Sequence, residues 1–472
     1  MDRTRMTGGG RRRLGGIPEP MRNRAFAVYW AGGFLSNMGT WLQSVAASVY
    51  VYQLTGSPLS VGFLNFASFL PVLLFSVWGG VVSDRLDRRL VVIVASIVAA
   101  GFAAVLAAVT FAGEASEAVL VIVAFAINFA YAFAKPALSA LLPALVPEAE
   151  MSDAVSLNSL QFVSGQLVGP VIATLVLATW GAGWAFAINA VTFVGPVLVM
   201  LYLLRAGIGG RLGSGDRVDA PGGLGARGRS DIEGEASGPS AAGAGLGPER
   251  SAPSREPQRR ARGAVFGRGA PGSILTFILA QPWVATALVG VVCTSAFLEL
   301  VRTLSPVLAA TVLHVPDSDA GLIVAAQSAG SAIGLVGFVP LRRWVSGERL
   351  ALVGLLVQGL AVLGVAASGG LADAGLAVAA NGFGFALCFP VMTGILQGDV
   401  PDRVRGRVMS LHTIANLGNR PATALAAGSI AAVAGAPVAM VAGIVLVPVG
   451  LLAVRRTWSG SRHEAVSAGS AA

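Results

Sequence analysis

Apolar residues in this chain fall in long unbroken runs, not in stripes. The runs cover about 25–52, 59–83, 89–112, 118–142, 154–178, 183–204, 283–312, 320–341, 349–368, 374–397, 408–434 and 437–454. Most reach the roughly 20 residues that a helix needs to cross a ~30 Å hydrocarbon core. They are apolar on all sides, as helices touching lipid and protein together must be. The pattern predicts an all-α membrane protein with twelve transmembrane helices. The first run is too long for the apolar core of a signal peptide and lacks a small-residue cleavage site, so it reads as a retained helix.

The connections carry the second pattern. One set holds Arg85, Arg88 and Arg89, then Arg342, Arg343 and Arg349, then Arg403, Arg405 and Arg407. The other set, at 53–57, 113–117, 179–183, 313–319, 369–373 and 434–437, has no Lys or Arg but holds Glu114, Glu117, Asp317, Asp319 and Asp373. This alternation puts both termini in the cytoplasm. The connection at 146–153 departs from it, with only Glu148, Glu150 and Asp153. Residues 206–272 are rich in Gly, Pro, Ser, Ala and Arg without apolar periodicity, and read as a disordered cytoplasmic linker. The expected domains are a cytoplasmic tail at 1–24, a six-helix bundle at 25–205, the linker at 206–272, a second six-helix bundle at 273–455, and a cytoplasmic tail at 456–472. The bundles look related, since Val146-Pro147-Glu148 with Ser156-Leu157 recurs as Val400-Pro401-Asp402 with Ser410-Leu411. Duplicated halves around a central site are a transporter architecture.

Composition narrows the function classes. Of 472 residues, 54% are hydrophobic and 12% charged, with mean hydropathy +0.72. Soluble domains carry roughly 25% charged residues, so soluble enzymes and nucleic-acid binders fit poorly. The net charge of +9 sits at helix ends and in loops, where membrane orientation explains it. Cys293 and Cys388 lie inside apolar runs with no metal or disulfide spacing. His314, His412 and His463 lie near ends or in the tail, so no metal site is expected. No Walker sequence, dinucleotide fingerprint or nucleophile–base pattern occurs, and neither a cofactor nor an enzyme activity is expected.

Local motifs name a family. Gly80-x-x-x-Asp84-Arg85-x-Asp87-Arg88-Arg89 lies between the second and third helices. Gly80 would let another helix approach closely, and Asp84 with the Arg cluster sits where charge meets headgroups. This form resembles the signature loop of the major facilitator superfamily. Ser36-Asn37-Met38-Gly39-Thr40-Trp41-Leu42-Gln43, Leu54-Thr55-Gly56-Ser57-Pro58 and Pro401-Asp402-Arg403-Val404-Arg405-Gly406-Arg407-Val408-Met409-Ser410 resemble its branch of enterobactin exporters and macrolide efflux pumps, the transmembrane secretion effector type. The resemblance implies the major facilitator fold, with two pseudo-symmetric six-helix bundles, alternating access and small-molecule export. It also implies that the Asp84 loop braces the second helix against the eleventh in the outward-open state, with Asp84 and Arg88 in those roles. The Arg residues alone could equally serve as a positive-inside anchor. Gly165-x-x-x-Gly169-Pro170 on the fifth helix resembles the antiporter motif, but Ala173 and Thr174 stand where that pattern has glycines, and ordinary close packing is the other reading.

Charges inside the runs carry the chemistry. Glu299 is the only carboxylate well within one, and a charge at mid-membrane costs at least ~2.5–3.5 kcal/mol on insertion scales. Arg302, three residues on, shares its helix face. The two form either a structural ion pair or a proton-exchanging pair in which Arg302 tunes Glu299. Lys135, the only lysine, and Arg420 either line the cavity or snorkel. Asn37, Gln43, Gln161, Gln166 and Asn416 are candidate cavity groups or interhelical bonds. Trp41 lies deep, as a substrate contact or as core. Trp180, Trp184, Trp283, Trp344 and Trp458 fall near helix ends and read as interface anchors.

The expected function is a secondary exporter in a bacterial inner membrane, exchanging a drug, antibiotic or other secondary metabolite for protons. A siderophore exporter is the nearest rival, and a transporter-like sensor or scaffold a rival of another class. The buried bases outnumber the single acid, which favours anionic or neutral cargo. The expected partners are a small-molecule substrate, protons and lipid, with no nucleic acid, and the chain is expected to be monomeric.

Overall fold

A computed structural model describes residues 18–209, 277–278 and 281–469, with the side chains at 402, 403 and 460–469 excepted. Of the expected linker only 206–209 is described; the rest of it, and residues 1–17, lie outside the described residues. Among the described residues the chain is helical throughout and forms no strand.

A single turn at Glu19–Arg22 leads into the first bundle. Its helices are α1 (Arg24–Thr55), α2 (Pro58–Arg85), α3 (Arg88–Phe111), α4 (Glu117–Leu141), α5 (Met151–Thr179) and α6, which spans Ala182–Arg205 with a break at Phe193. The second bundle holds α7 (Pro282–Thr311), α8 (Ala320–Leu341), α9 (Gly347–Ala366) and α10 (Leu371–Gly398). It ends with α11, built from Asp402–Thr413, Ile414–Gly418 and Asn419–Ala434, and α12, built from Ala436–Ala442, Gly443–Val445 and Leu446–Gly469. The last helix therefore runs past the boundary expected at 455.

Sequence sets the helix ends. Asn23, Ser57, Asp87, Ser116 and Ser346 each accept a hydrogen bond from a backbone N–H in the first turn that follows. Gly56 closes α1 at φ 62° and Gly435 closes α11 at φ 88°, conformations that favour glycine.

Among the described residues, ten helices are long and apolar enough to cross a membrane. The two other membrane-length stretches, α1 and α11, are diluted by Asn37, Thr40 and Gln43 in one and by Asn416, Asn419 and Arg420 in the other. The two helices that read least like lipid spans thus both carry polar candidates. In α11 the middle segment, Ile414–Gly418, is a π-helical turn placed just before Arg420. Such widened turns accompany functional sites. At the other extreme, 72% of the central window of α7 is buried in protein, against 28–50% for the other nine spans.

The halves meet along α1–α7, α2–α11 and α5–α8. The close approaches lie toward the end formed by the Arg-free connections. A Cβ on Gly62 would stand 2.6 Å from the Ala424 carbonyl oxygen, and one on Gly428 would stand 2.7 Å from that of Pro58. Gly321 lies against the Pro170 carbonyl and Thr174. Gln53 Nε2 donates to Asp317 Oδ1 at 3.2 Å, and Ser328 Oγ donates to the Gln166 carbonyl at 3.1 Å. Beyond these points, toward the Arg-rich end, α2 exposes Leu74, Val77 and Trp78, and α8 exposes Ile333, Val336 and Val339.

Candidate functional site

Glu299 sits in the middle of α7, 1% exposed. Helical spacing puts Arg302 and Thr303 beside it. Arg302 Nη1 donates to Glu299 Oε2 and Thr303 Oγ1 to Oε1, each at 3.3 Å. This is one long contact per oxygen, not the bidentate fork that holds a carboxylate firmly. Arg302 is 6% exposed, and its Nε and Nη2 have no hydrogen-bond partner.

The guanidinium reaches across the molecule instead. Its carbon lies 4.5 Å from the centroid of the Trp41 ring on α1, and Phe162 packs edge-on against the same ring at 6.1 Å. Trp41, Ser44, Ser48, Asn65, Arg302 and Ser305 line a crevice between α1 and α2 of one half and α7 and α8 of the other. Arg420 repeats the arrangement. It is half-buried, its Nε is unpartnered, and it lies 5.5 Å over the Phe69 ring of α2. Arg420 is within electrostatic reach of Glu299, Arg302 and Lys135. Lys135 is exposed and lies 5.9 Å over the Tyr131 ring of its own helix. Asn416, in the π-helical turn, accepts from Ser295 Oγ at 2.9 Å and so ties α11 to α7.

Several candidates are spent on helix contacts. Asn37 Nδ2 donates to the Phe162 carbonyl, Gln161 Nε2 to the Trp30 carbonyl, and Asn189 Nδ2 to Gln43 Oε1 at 2.6 Å. Gln166 contributes its backbone carbonyl to Ser328 and is half-buried. Gly165 lies against Asn37, and a Cβ on Gly169 would stand 2.6 Å from the Met38 carbonyl oxygen, so this motif packs α5 on α1 within one half. Its Pro170 carbonyl abuts Gly321 of α8 across the halves.

The Asp84 loop is open in this conformation. A Cβ on Gly80 would meet nothing within 4 Å, contrary to the close approach expected there; the tight contact belongs to Gly79, against Ala132 of α4. Asp84 and Arg85 are exposed. Arg88 Nη1 donates to the Ala140 carbonyl at 2.9 Å. Arg89 pairs with Asp87 at 2.6 Å and donates to the carbonyls of Leu203 and Ile208 at the end of α6. The Arg89 side-chain bond holds the Asp87 carboxyl below its usual value.

Five buried amides, Asn65, Asn189, Gln327, Gln358 and Asn381, escaped the sequence reading, and two of them pack beside Glu299's turn. Gln327 of α8 donates to the Leu298 carbonyl at 3.0 Å and to Asn381 Oδ1 of α10 at 3.1 Å. Gln327 Oε1 and Asn381 Nδ2 remain unpartnered beside Glu299's own turn. Intramembrane amides in apolar runs, the signal that marked Asn37 and Gln161, mark these two equally. No group of three His, Cys, Asp or Glu capable of holding a metal occurs among the described residues.

Residues 17–211 match the transmembrane secretion effector family. The chain is 30% identical to macrolide efflux protein A of Streptococcus pyogenes over 37% of its own length and 43% of that protein's. It is 27% identical to the staphyloferrin A transporter of Staphylococcus aureus over 37% of its length and 44% of that protein's. These matches thus span less than half of either relative. The match to the enterobactin exporter EntS of Citrobacter koseri, at 26% identity, runs over 91% of this chain and 90% of that one. Among solved structures, the nucleoside transporter NupG aligns with TM-score 0.63 at 10% identity, over 92% of this chain and 99% of that one. An inward-facing bacterial homologue of the lysosomal transporter Spinster aligns with TM-score 0.61 at 17% identity, over 94% of this chain and 99% of that one. The chain is a multi-pass helical membrane protein with the major facilitator fold, and it resembles the transmembrane secretion effector branch of that superfamily.

Proposed function

We propose that this protein exports a small organic molecule across a bacterial inner membrane by alternating access and proton antiport, with both termini in the cytoplasm. The observation that carries the reading is Glu299. Among the described residues it is the one carboxylate deep in a span, on the most enclosed of the ten apolar helices, held by two loose contacts and next to an Arg that touches the other half. Loose holding leaves the carboxylate free to take a proton from one side and give it up on the other. The close contacts between halves at the Arg-free end support a reading of this conformation as the one open toward the cytoplasm. The exposed Asp84 loop agrees with that, because its brace between α2 and α11 belongs to the opposite conformation.

The near end-to-end match with an enterobactin exporter favours a second reading, in which the cargo is a siderophore. Drug, antibiotic and siderophore candidates separate in one assay: uptake into everted vesicles with and without an imposed pH gradient. Gradient-dependent uptake that Glu299→Gln abolishes is the expected result. Unchanged gradient-driven uptake in that variant removes the coupling role of Glu299. A wild type that moves none of the compounds, yet whose deletion alters the cell's response to one of them, is a sensor instead.

A further inference from the structure

Charge at the Arg-rich end is shared unequally between the halves. In the first half six arginines, Arg22, Arg24, Arg85, Arg88, Arg89 and Arg205, stand against six acids, Glu19, Asp84, Asp87, Glu148, Glu150 and Asp153. Arg88 and Arg89 are also occupied, by the Ala140 carbonyl and by Asp87. In the second half, among the side chains described, Arg342, Arg343 and Arg349 flank the α8–α9 turn. Arg405 and Arg407 lie in the first segment of α11, and Arg455 and Arg456 on α12. Only Glu348 and Asp399 oppose these seven, and Glu348 is engaged elsewhere. Arg405 donates to the Val400 carbonyl, and Arg342 lies over the Phe338 ring. Arg343, Arg349, Arg455 and Arg456 are exposed, and their side chains form no ion pair or hydrogen bond with any described residue.

These four arginines gather where two helices meet. A Cβ on Gly347, in the first turn of α9, would stand 2.8 Å from the Trp458 ring of α12. Arg349 is two residues from Gly347, and Arg455 is three from Trp458. Farther into the membrane, Gly359 of α9 abuts Val447 of α12, and Gly450 of α12 abuts Leu355 of α9. Both helices pack on helices of the second half, which leaves their outer faces to lipid. On α9, Arg349, Val353, Leu356 and Leu360 are exposed at spacings of three and four, hence on one face. On α12, Val449, Leu452 and Arg456 repeat the pattern. Each apolar stripe therefore ends in an arginine. Trp344, in the turn before α9, is 88% exposed, and such a ring settles at headgroup depth.

One occupant suits both features. Acyl chains cover the apolar stripes, and phosphate oxygens accept the guanidinium donors that nothing else takes up. A small soluble anion leaves the stripes uncovered. A zwitterionic headgroup brings a cation of its own into a field of arginines, which repels it. Orientation in the membrane needs only a bias of basic residues toward one side, not unpaired arginines collected at one helix pair.

We infer that the Arg-rich end of α9 and α12 binds the phosphate of an anionic phospholipid, whose acyl chains lie along the exposed faces of the same two helices. The site uses neither Glu299 nor the seam between halves, so it is separate from the transport proposed above.

The purified full chain in mild detergent is titrated with phosphatidylglycerol and with phosphatidylcholine of the same acyl chains, and bound lipid is counted by native mass spectrometry. Phosphatidylglycerol is expected to bind at least about tenfold tighter. Arg349→Gln combined with Arg456→Gln weakens it about tenfold. Arg22→Gln combined with Arg205→Gln removes as much charge from the first half and leaves the affinity unchanged. The melting temperature rises with phosphatidylglycerol and not with an equal concentration of inorganic phosphate. Equal affinity for the two lipids overturns the anionic headgroup, and this comparison on the wild type holds even if a variant folds poorly. Equal weakening by the two pairs of substitutions overturns the location. Stabilisation by inorganic phosphate that matches the lipid's overturns the lipid as occupant.

Discussion

Arg302 stacks on Trp41 across the two halves, 4.5 Å from guanidinium carbon to ring centroid, while its Nη1 rests 3.3 Å from Glu299 on its own helix. One side chain thus joins the buried carboxylate to the seal between bundles. A desolvated cation–π contact contributes about 2 kcal/mol. Trp41→Leu is therefore expected to shift the balance toward opening at the Arg-free end by roughly tenfold or more. The labelling rate of Ser48→Cys by an impermeant maleimide, in a background lacking Cys293 and Cys388, reads that shift. An unchanged rate contradicts the seal.

The α2–α11 contact makes a second prediction. Gly62 and Gly428 are in backbone contact, with no room for a side chain between them. Gly62→Val wedges this seam apart. Export is expected to fall, and Ser48→Cys labelling to rise, without loss of the folded protein. Labelling equal to that of the parent would mean that the seam does not close the Arg-free end.

Packing within the second half is tested at Gly330. A methyl group there collides with the Ala379 carbonyl oxygen of α10, whereas one on Gly394 meets nothing within 4 Å. Overpacking costs about 1–3 kcal/mol. Gly330→Ala should lower the melting temperature of the purified protein by several degrees, and Gly394→Ala should leave it unchanged. Equal effects would place the α8–α10 contact elsewhere.

The Asp87–Arg89 pair gives a pH signature. Arg89 holds the Asp87 carboxyl below its ordinary 3.8, so the ionised pair contributes stability at every pH above that value. The contribution is lost as pH falls through the lowered value. Asp87→Asn should melt below the wild type by a constant margin from about pH 7 to about pH 5, and the margin should shrink as pH falls below 3.8. A margin that widens in acid contradicts the pairing.

Lipid made much of this fold legible. Every backbone group in a span must bond internally, so long apolar runs become helices, and the alternation of Arg-bearing connections sets their order. Glu299 and Arg302 were legible as a pair because helical spacing joins them locally. The partners that define the site were not. Trp41 meets Arg302, and Phe69 meets Arg420, only through the docking of one half on the other. The same holds for the bonds that occupy Asn37, Gln43 and Gln161, which are fixed by helix neighbours more than a hundred residues away in the chain. Gly79 and Gly80 show the limit most plainly. Adjacent and identical, they face a helix and open space respectively, and only the rotation of α2 tells them apart. The π-helical turn at Ile414–Gly418 had no signal in composition, and the continuation of α12 to Gly469 carries too little apolar character to be read as a span.

Alternating access underlies the function proposed above, and paired spin-label distances in nanodiscs probe it at both ends of the molecule. Leu59→Cys with Val433→Cys reports the Arg-free end, and Val155→Cys with Val339→Cys reports the Arg-rich end. On lowering the pH, the first distance should lengthen while the second shortens. Distances that stay fixed, or that move in the same sense, are incompatible with a site that opens to one side at a time.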